Sequence, residues 1–296
     1  METRRKLNPY IVVMIGVLTI SSSAILVKLS SAEAGTIAFY RMFFSVCILL
    51  PMFLRRSKSE LRMMKRNDWI YSLLAGIFLA FHFILWFESL NYTSVASSTV
   101  LVTLQPLFAF IGTFLFFKEK YSIKSITSAA VAMIGGFVIS WGDFRLSGAA
   151  LLGDMLALSA CALITAYLLV GQSLRQRISL ITYTFLVYSI STIVLFFYVI
   201  IRNEPLYPYP IEDWIYFLLL AILPNLLGHS LFNWALKWVS TAVISMAVLF
   251  EPVGATILAY LILSEKVAWF QLAGGSIIII SVLLFIMNVR REGGRI

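Results

Sequence analysis

Apolar residues come along this chain in long unbroken runs, not in the alternation that marks a half-buried strand. Runs bounded by charge or turn residues fall at 9–29, 34–54, 69–90, 94–117, 122–141, 148–170, 179–201, 214–237, 241–263 and 267–288. A helix of about 20 residues crosses the hydrocarbon core of a bilayer, so each run predicts one crossing. Within a bilayer only a helix satisfies all its backbone groups inside one such segment, and the missing alternation excludes a barrel. Separators as short as Asn91-Tyr92-Thr93 and Ser264-Glu265-Lys266 make consecutive helices antiparallel neighbours. The pattern predicts an all-α polytopic membrane protein with ten transmembrane helices.

A self-comparison divides those ten. Sliding the chain by 146 residues pairs Pro106 with Pro252, Glu119 with Glu265 and Lys120 with Lys266, and also Leu90 with Leu236, Ser94 with Ser240, Ala96 with Ala242 and Ala109 with Ala255. Apolar matches are cheap in membrane helices, but an ungapped proline followed thirteen residues later by Glu-Lys is not. The predicted units are therefore residues 1–146, the first five-helix repeat, and 147–296, the second. Five is odd, so equivalent helices cross in opposite directions and the repeats are inverted. That arrangement is common in secondary transporters, whose substrate sits near the midplane between the halves.

Composition adds limits. With 60% hydrophobic and 12% charged residues and a mean hydropathy of +0.92, the chain is far from the roughly 25% charge of soluble domains, and ten spans leave no room for a separate soluble domain. The net charge of +9 would suggest nucleic acid in a soluble protein, but here it serves topology. With the N-terminus in the cytoplasm, 18 of the 23 basic residues fall inside, among them Arg4, Arg5, Lys6, Arg55, Arg56, Lys118, Arg175, Arg177, Lys237, Arg290, Arg291 and Arg295. Only Lys28, Arg145, Arg202 and Lys266 fall outside, and Arg41 lies within a span. Both termini are then expected in the cytoplasm. A cleaved signal peptide over residues 1–24 competes for Arg4 to Ala24, but the apolar run resumes at once through Val27, and losing the first helix would spoil the repeat. Cys47 and Cys161 each sit in an apolar run, so no disulfide or zinc spacing is readable.

At this point the chain resembles a family. Trp86-Phe87-Glu88-Ser89-Leu90-Asn91-Tyr92-Thr93-Ser94 leads to Pro106 and Lys118-Glu119-Lys120. In the second half come Gly228, Asn233-Trp234-Ala235-Leu236, Glu251-Pro252-Val253, Ser264-Glu265-Lys266 and Gly274-Gly275. With Arg41 and Gly153-Asp154, these resemble the drug/metabolite transporter superfamily, specifically its bacterial EamA-type branch, over nearly the whole chain. The resemblance implies a ten-helix bundle with a central cavity lined mainly by helices 1, 3, 4, 6, 8 and 9. Members move amino acids, sugars, nucleotide conjugates, amines and drugs, so it leaves the cargo open.

The polar residues inside the spans carry the site expectations. Gln105-Pro106 and Glu251-Pro252 fall at the middles of helices 4 and 9 and are repeat equivalents. Each proline removes a backbone donor and frees the carbonyl of Val102 or Val248 one turn earlier, which faces a cavity or merely shapes a kink. Glu251 is the one acidic residue near a helix centre, where a charge costs roughly 2.5–3.5 kcal/mol on insertion scales. It is carried neutral, pairs with a substrate amine, or is locked to Arg41 or a histidine. On helix 8, Asn225, His229 and Asn233 recur every four residues, and on helix 3 His82 and Trp86 share that spacing, so each set lies on one face. Trp86 and Trp234 are candidates to stack on a flat or cationic cargo, and Ser22 and Thr103 to donate hydrogen bonds to it. Packing competes for each of them, and Arg41 is expected to snorkel outward or pair with Glu88.

The expected function is a secondary active transporter of small metabolites, amino acids or similar amphipathic compounds, exported across the cytoplasmic membrane by alternating access. The substrate-binding set is His82, Trp86, Thr103, Gln105, Asn225, His229, Asn233, Trp234, Glu251 and Ser22, and Glu251 with His229 couples transport to protons. The expected partners are a small-molecule substrate, the lipid bilayer, protons and a second copy as a homodimer, with no nucleic acid, cofactor or metal. The alternative is a carrier or flippase for a lipid-linked or nucleotide-linked sugar, which should need several cations, of which the spans offer Arg41. A third reading, an intramembrane enzyme with a metal on His82, His229 and Glu251, has no supporting motif. Neither a phosphate loop nor a His-Glu-x-x-His or Gly-x-Ser-x-Gly signature is present.

Overall fold

The computed structural model describes residues 7–141, 148–264 and 266–291. Arg4, Arg5, Lys6, Arg145, Arg295 and Glu265, named above for topology and for the repeat, lie outside the described residues. Ten apolar helices follow one another: α1 (Pro9–Leu29), α2 (Ala34–Arg56), α3 (Arg66–Tyr92), α4 in two pieces (Val95–Val102 and Gln105–Phe117), α5 (Ile123–Ile139), α6 (Gly148–Leu174), α7 (Leu180–Arg202), α8 (Ile211–Ala235), α9 in two pieces (Thr241–Val248 and Glu251–Leu263) and α10 (Trp269–Arg291). Nine are long and apolar enough to cross a membrane, and α5, at 17 residues, is the short one. The chain is a multi-pass membrane protein.

The repeat is visible in the helix bounds. Shifted by 146, α2 becomes α7 at both ends, and the two pieces of α4 become the two pieces of α9 at all four ends. Lys118 and Ser264, equivalent under the same shift, both end their helices in the left-handed region, at φ 59° and 57°. Ser94 and Ser240 stand at equivalent N-caps, and the Ser94 hydroxyl accepts from the Ser97 amide at 3.0 Å. The fold is two five-helix repeats, inverted because each holds an odd number of crossings.

The halves pack against each other through symmetric pairs: α2 on α7, α4 on α9 and α5 on α10, with α1 on α8 mirrored by α3 on α6. Lipid supplies no hydrophobic drive between helices, so close packing must. A Cβ on Gly135 would sit 2.9 Å from the Gly274 carbonyl, and one on Gly274 2.5 Å from the Gly135 carbonyl, so α5 and α10 touch backbone to backbone.

Four helices are interrupted at mid-depth. In α1 the hydroxyls of Thr19, Ser21 and Ser22 bond back to the carbonyls of Gly16, Val17 and Thr19, and the helix turns at Ser21–Ser22 before resuming at Ser23. In α4 and α9 the breaks fall at Thr103–Leu104 and Leu249–Phe250, where Pro106 and Pro252 cannot continue the ladder from the turn before. In α8 the interruption takes another form. Pro224 lies inside Ala221–His229, and that stretch winds as a π-helix.

Candidate functional site

These interruptions meet. Between the repeats lies a cavity of 20 Å³, about one water in size, lined by Ile20 and Ser23 of α1, Arg41 of α2, His82 and Trp86 of α3, Val102 and Gln105 of α4, Ile164 and Leu168 of α6, His229 and Phe232 of α8, and Val248 and Glu251 of α9. Gln105 and Glu251 each open the second piece of a broken helix. The positive end of that piece's dipole suits a carboxylate at Glu251. The lining is strongly polar for its depth: Arg41 is fully buried, and Glu251, Gln105, His82 and His229 are each under 9% exposed.

His82 sets its ring by one bond. Its Nδ1 lies 2.9 Å from the Ala160 carbonyl, which only accepts, so Nδ1 carries the proton there. The ring stacks on Trp86 at 5.8 Å and 22°. His229 stands edge-on to Phe83 at 5.7 Å and 83°, and its Nδ1 has no hydrogen-bond partner among the described residues. The same holds for Trp86 Nε1, Gln105 Oε1, and Arg41 Nε and Nη2. Groups of this kind are rare in a core, and here they gather round one cavity.

Five of the ten expected substrate residues are thus brought together: His82, Trp86, Gln105, His229 and Glu251. The other five face elsewhere. Asn225 donates to Ser45 Oγ at 2.8 Å and faces α2. Asn233 donates to Tyr167 OH at 2.5 Å, and its carbonyl accepts from Arg175 Nε at 2.9 Å. The four-residue spacing does not carry Asn225 onto the face of His229, because the π-winding round Pro224 replaces the 3.6-residue period there; Asn233 follows His229 in a regular α-helical turn and is taken up by Tyr167. Trp234 packs against Trp238, with ring centroids 4.1 Å apart and the planes tilted by 46°. Thr103 bonds back to the Val100 carbonyl at the α4 break, and Ser22 to the Thr19 carbonyl at the α1 break. The turn in α1 presents Ser23 to the cavity in place of its neighbour.

Arg41 corrects another expectation. It neither snorkels nor meets Glu88, which holds Asn91 and Tyr198 instead. It turns inward, donates from Nη1 to Ser23 Oγ at 2.9 Å and lies with its Cζ 4.1 Å from the centre of the Phe83 ring. Its hydrophobic surroundings gave no sequence signal beyond a charge in mid-span. Arg175, read from sequence as a topology charge, is 1% exposed and also donates from Nη1 to the Ile178 carbonyl.

The cavity is closed unequally at its two ends. Towards the α6–α7 end lies a polar network: Gln172 Nε2 donates to Glu119 at 2.7 Å and its Oε1 accepts from the Thr241 amide at 2.7 Å, while Tyr121 donates to Glu119 at 2.5 Å. Together with Asn233, Tyr167 and Arg175 it ties α4, α6, α8 and α9. Towards the α9–α10 end, a pocket of 220 Å³ reaches from Lys28 and Lys266 inward to Pro252, the residue after Glu251. Among the described residues no three His, Cys, Asp or Glu side chains come close enough to share a metal ion.

Comparison with known proteins places this architecture. The profile of the EamA-like transporter family matches residues 7–141 and again 151–287. An uncharacterized transporter, YxxF, of Bacillus subtilis (strain 168) is 24% identical over 289 residues, covering 92% of this chain and 91% of that protein. An uncharacterized transporter of Archaeoglobus fulgidus is 20% identical over 275 residues, covering 92% and 94%. A protein of known crystal structure superposes with a TM-score of 0.78 at 15% identity, over 97% of this chain and 99% of that one, which shows the shared fold.

Proposed function

We propose, from the premise that the chain belongs to the EamA-like transporter family, that this membrane transporter exports amino acids or similarly amphipathic small metabolites across the cytoplasmic membrane by alternating access coupled to protons. One observation carries this: two proline-broken helices, one from each repeat, meet at a closed polar cavity midway through the bundle. Unwound backbone is tolerated at membrane depth where it lines a cavity. The inverted repeats supply the motion, since exchanging the conformations of the halves exchanges the open end.

Glu251 is the proton carrier in this scheme and His229, on the same cavity, the relay, because an imidazole can take a proton at one ring nitrogen and release one from the other. The positive-inside pattern puts the α6–α7 network at the cytoplasmic end and both termini in the cytoplasm. The sugar-carrier alternative is weakened by the single cation on the cavity wall. In a background lacking Cys47 and Cys161, a cysteine at exposed Ser59 should resist an impermeant thiol reagent added to whole cells, while one at Pro208 should react. The opposite pattern would reverse the orientation. Proteoliposomes loaded with the twenty L-amino acids should release some of them only when the protein is present, and faster under an imposed pH gradient. Release equal to that from protein-free vesicles would reject transport of this class.

A further inference from the structure

We propose that Arg41 is the receptor for a carboxylate on the cargo, so that the cavity selects small zwitterions with a free carboxyl group and rejects their amides and decarboxylated amines. This rests on the central cavity being the transport site.

A guanidinium offers donors along two edges and presents two faces. Here Phe83 covers one face at 4.1 Å and Ser23 takes Nη1 at 2.9 Å. The atoms left without a partner are Nε and Nη2, which together form the side-on edge. That edge is the two-donor fork that meets the two oxygens of a carboxylate in parallel. The residue is fully buried and lines the cavity, so the group that meets those donors is one that occupies the cavity itself. Glu251 lines the same cavity without accepting from either nitrogen. A buried charge left this way is unfavourable in the closed form and is relieved by an anion that enters when the cavity opens.

The remaining lining fixes the other end of the ligand. Gln105 Oε1 is a buried acceptor without a partner, and Glu251 stands at the repeat-equivalent position, so an ammonium finds oxygens there. Trp86 and Phe232 supply apolar walls between. A phosphate dianion fits poorly, since one cation faces it and one carboxylate repels it. An amide or an amine keeps the ammonium contacts but offers the Arg41 fork no pair of anionic oxygens.

The test uses the wild-type protein first. Proteoliposomes are loaded with three matched sets: the twenty L-amino acids, their carboxamides and their decarboxylated amines, with protein-free vesicles correcting for leak. The expected result is protein-dependent release of some acids at least ~10-fold faster than their amides and amines. Amides and amines released as fast as the acids would overturn the Arg41 assignment while leaving the transporter intact. Release of none of the three sets would remove the transport reading and this proposal with it. Arg41→Lys keeps the charge and loses the side-on pair of donors. With a monodisperse elution profile and parental thermal unfolding, it should narrow the acid-to-amide ratio at least ~10-fold. An unchanged ratio would overturn the proposal, and if the variant does not fold, the wild-type comparison decides.

Discussion

The two halves contribute equivalent positions to the cavity and unlike chemistry. Under the 146-residue shift Trp86 answers to Phe232, Val102 to Val248 and Gln105 to Glu251, and all six line the same wall. Phe83 answers to His229, and the two rings touch. Arg41, by contrast, answers to Val187 and His82 to Gly228. Duplication thus explains the shape, and divergence at a few positions explains the polarity: the first half brings the cation and the second the carboxylate. A symmetric cavity could alternate but would treat both ends of a cargo alike. An asymmetric lining on a symmetric frame gives a zwitterion one orientation.

Making the halves alike should therefore have the largest effect. Glu251→Gln turns the 105/251 pair into two amides and removes the exchangeable proton. We expect amino-acid exchange in proteoliposomes to persist and acceleration by an imposed pH gradient to vanish. The swap of Gln105→Glu with Glu251→Gln sharpens the test. If the pair is equivalent in position, gradient acceleration returns in part, and if Glu251 needs its own surroundings it does not. A single Glu251→Gln that follows the gradient as the parent does would remove Glu251 from coupling.

The second comparison sets a residue on the cavity against one that sequence spacing assigned to it. Trp86→Phe makes Trp86 like its equivalent Phe232 and removes the partnerless Nε1–H at little cost in packing. It should raise the half-saturating amino-acid concentration about tenfold, with thermal unfolding nearly unchanged. Asn225→Ala should do the reverse. It strips Ser45 of a buried donor, so destabilisation of about 1–3 kcal/mol is expected with the transport rate per folded molecule preserved. Normal transport kinetics in Trp86→Phe, or a specific transport defect in Asn225→Ala, would reverse the placement of these two side chains.

Those assignments show where the sequence could be read and where it could not. The spans were legible because burial in lipid demands long apolar runs, and the repeat because Pro106 and Pro252 stand in one register. Gln105 and Glu251 reached the cavity for that reason. The spacing does not place Asn225, because α-helical periodicity does not run through Pro224, where the chain winds with i to i+5 bonds, and Asn233, one α-helical turn past His229, is held by Tyr167. Ser22 missed by one residue because three hydroxyls competing for carbonyls turned α1 there. Arg41 and Arg175 were hidden for a different reason. A cation in or beside a span is ordinarily explained by snorkelling or topology, and nothing in one sequence distinguishes an arginine folded inward onto Phe83.

The smallest expected effect compares the two ends of the molecule. Thr36 and Thr182 are repeat equivalents near the starts of α2 and α7, and each is met by a carboxylate from the other half. Glu60 accepts from the Ser179 amide at 2.7 Å, from Ser179 Oγ at 2.5 Å and from Thr182 Oγ1. Glu204 accepts from the Thr36 amide at 2.7 Å and from Thr36 Oγ1 at 3.2 Å. Half-burial pushes the Glu204 carboxyl above the ordinary 4.5, with Glu33 and Glu88 adding to the shift, against the bonds from Thr36. A raised carboxyl contributes stability below its unfolded value and loses it as pH rises through its folded value. Glu204→Gln, which keeps an acceptor for Thr36 without the charge, should therefore stabilise the protein at pH 7. The gain should be only a few tenths of a kcal/mol, because the site is partly exposed and screened, and it should fade as the pH falls below 4.5. Glu60→Gln should have the opposite sign at pH 7, losing about 1 kcal/mol, since three donors then face one amide oxygen. Thermal unfolding in detergent at pH 4 and pH 7 measures both, and a Glu204→Gln variant less stable than the parent at pH 7 would mean that the bonds to Thr36 outweigh the burial of the charge.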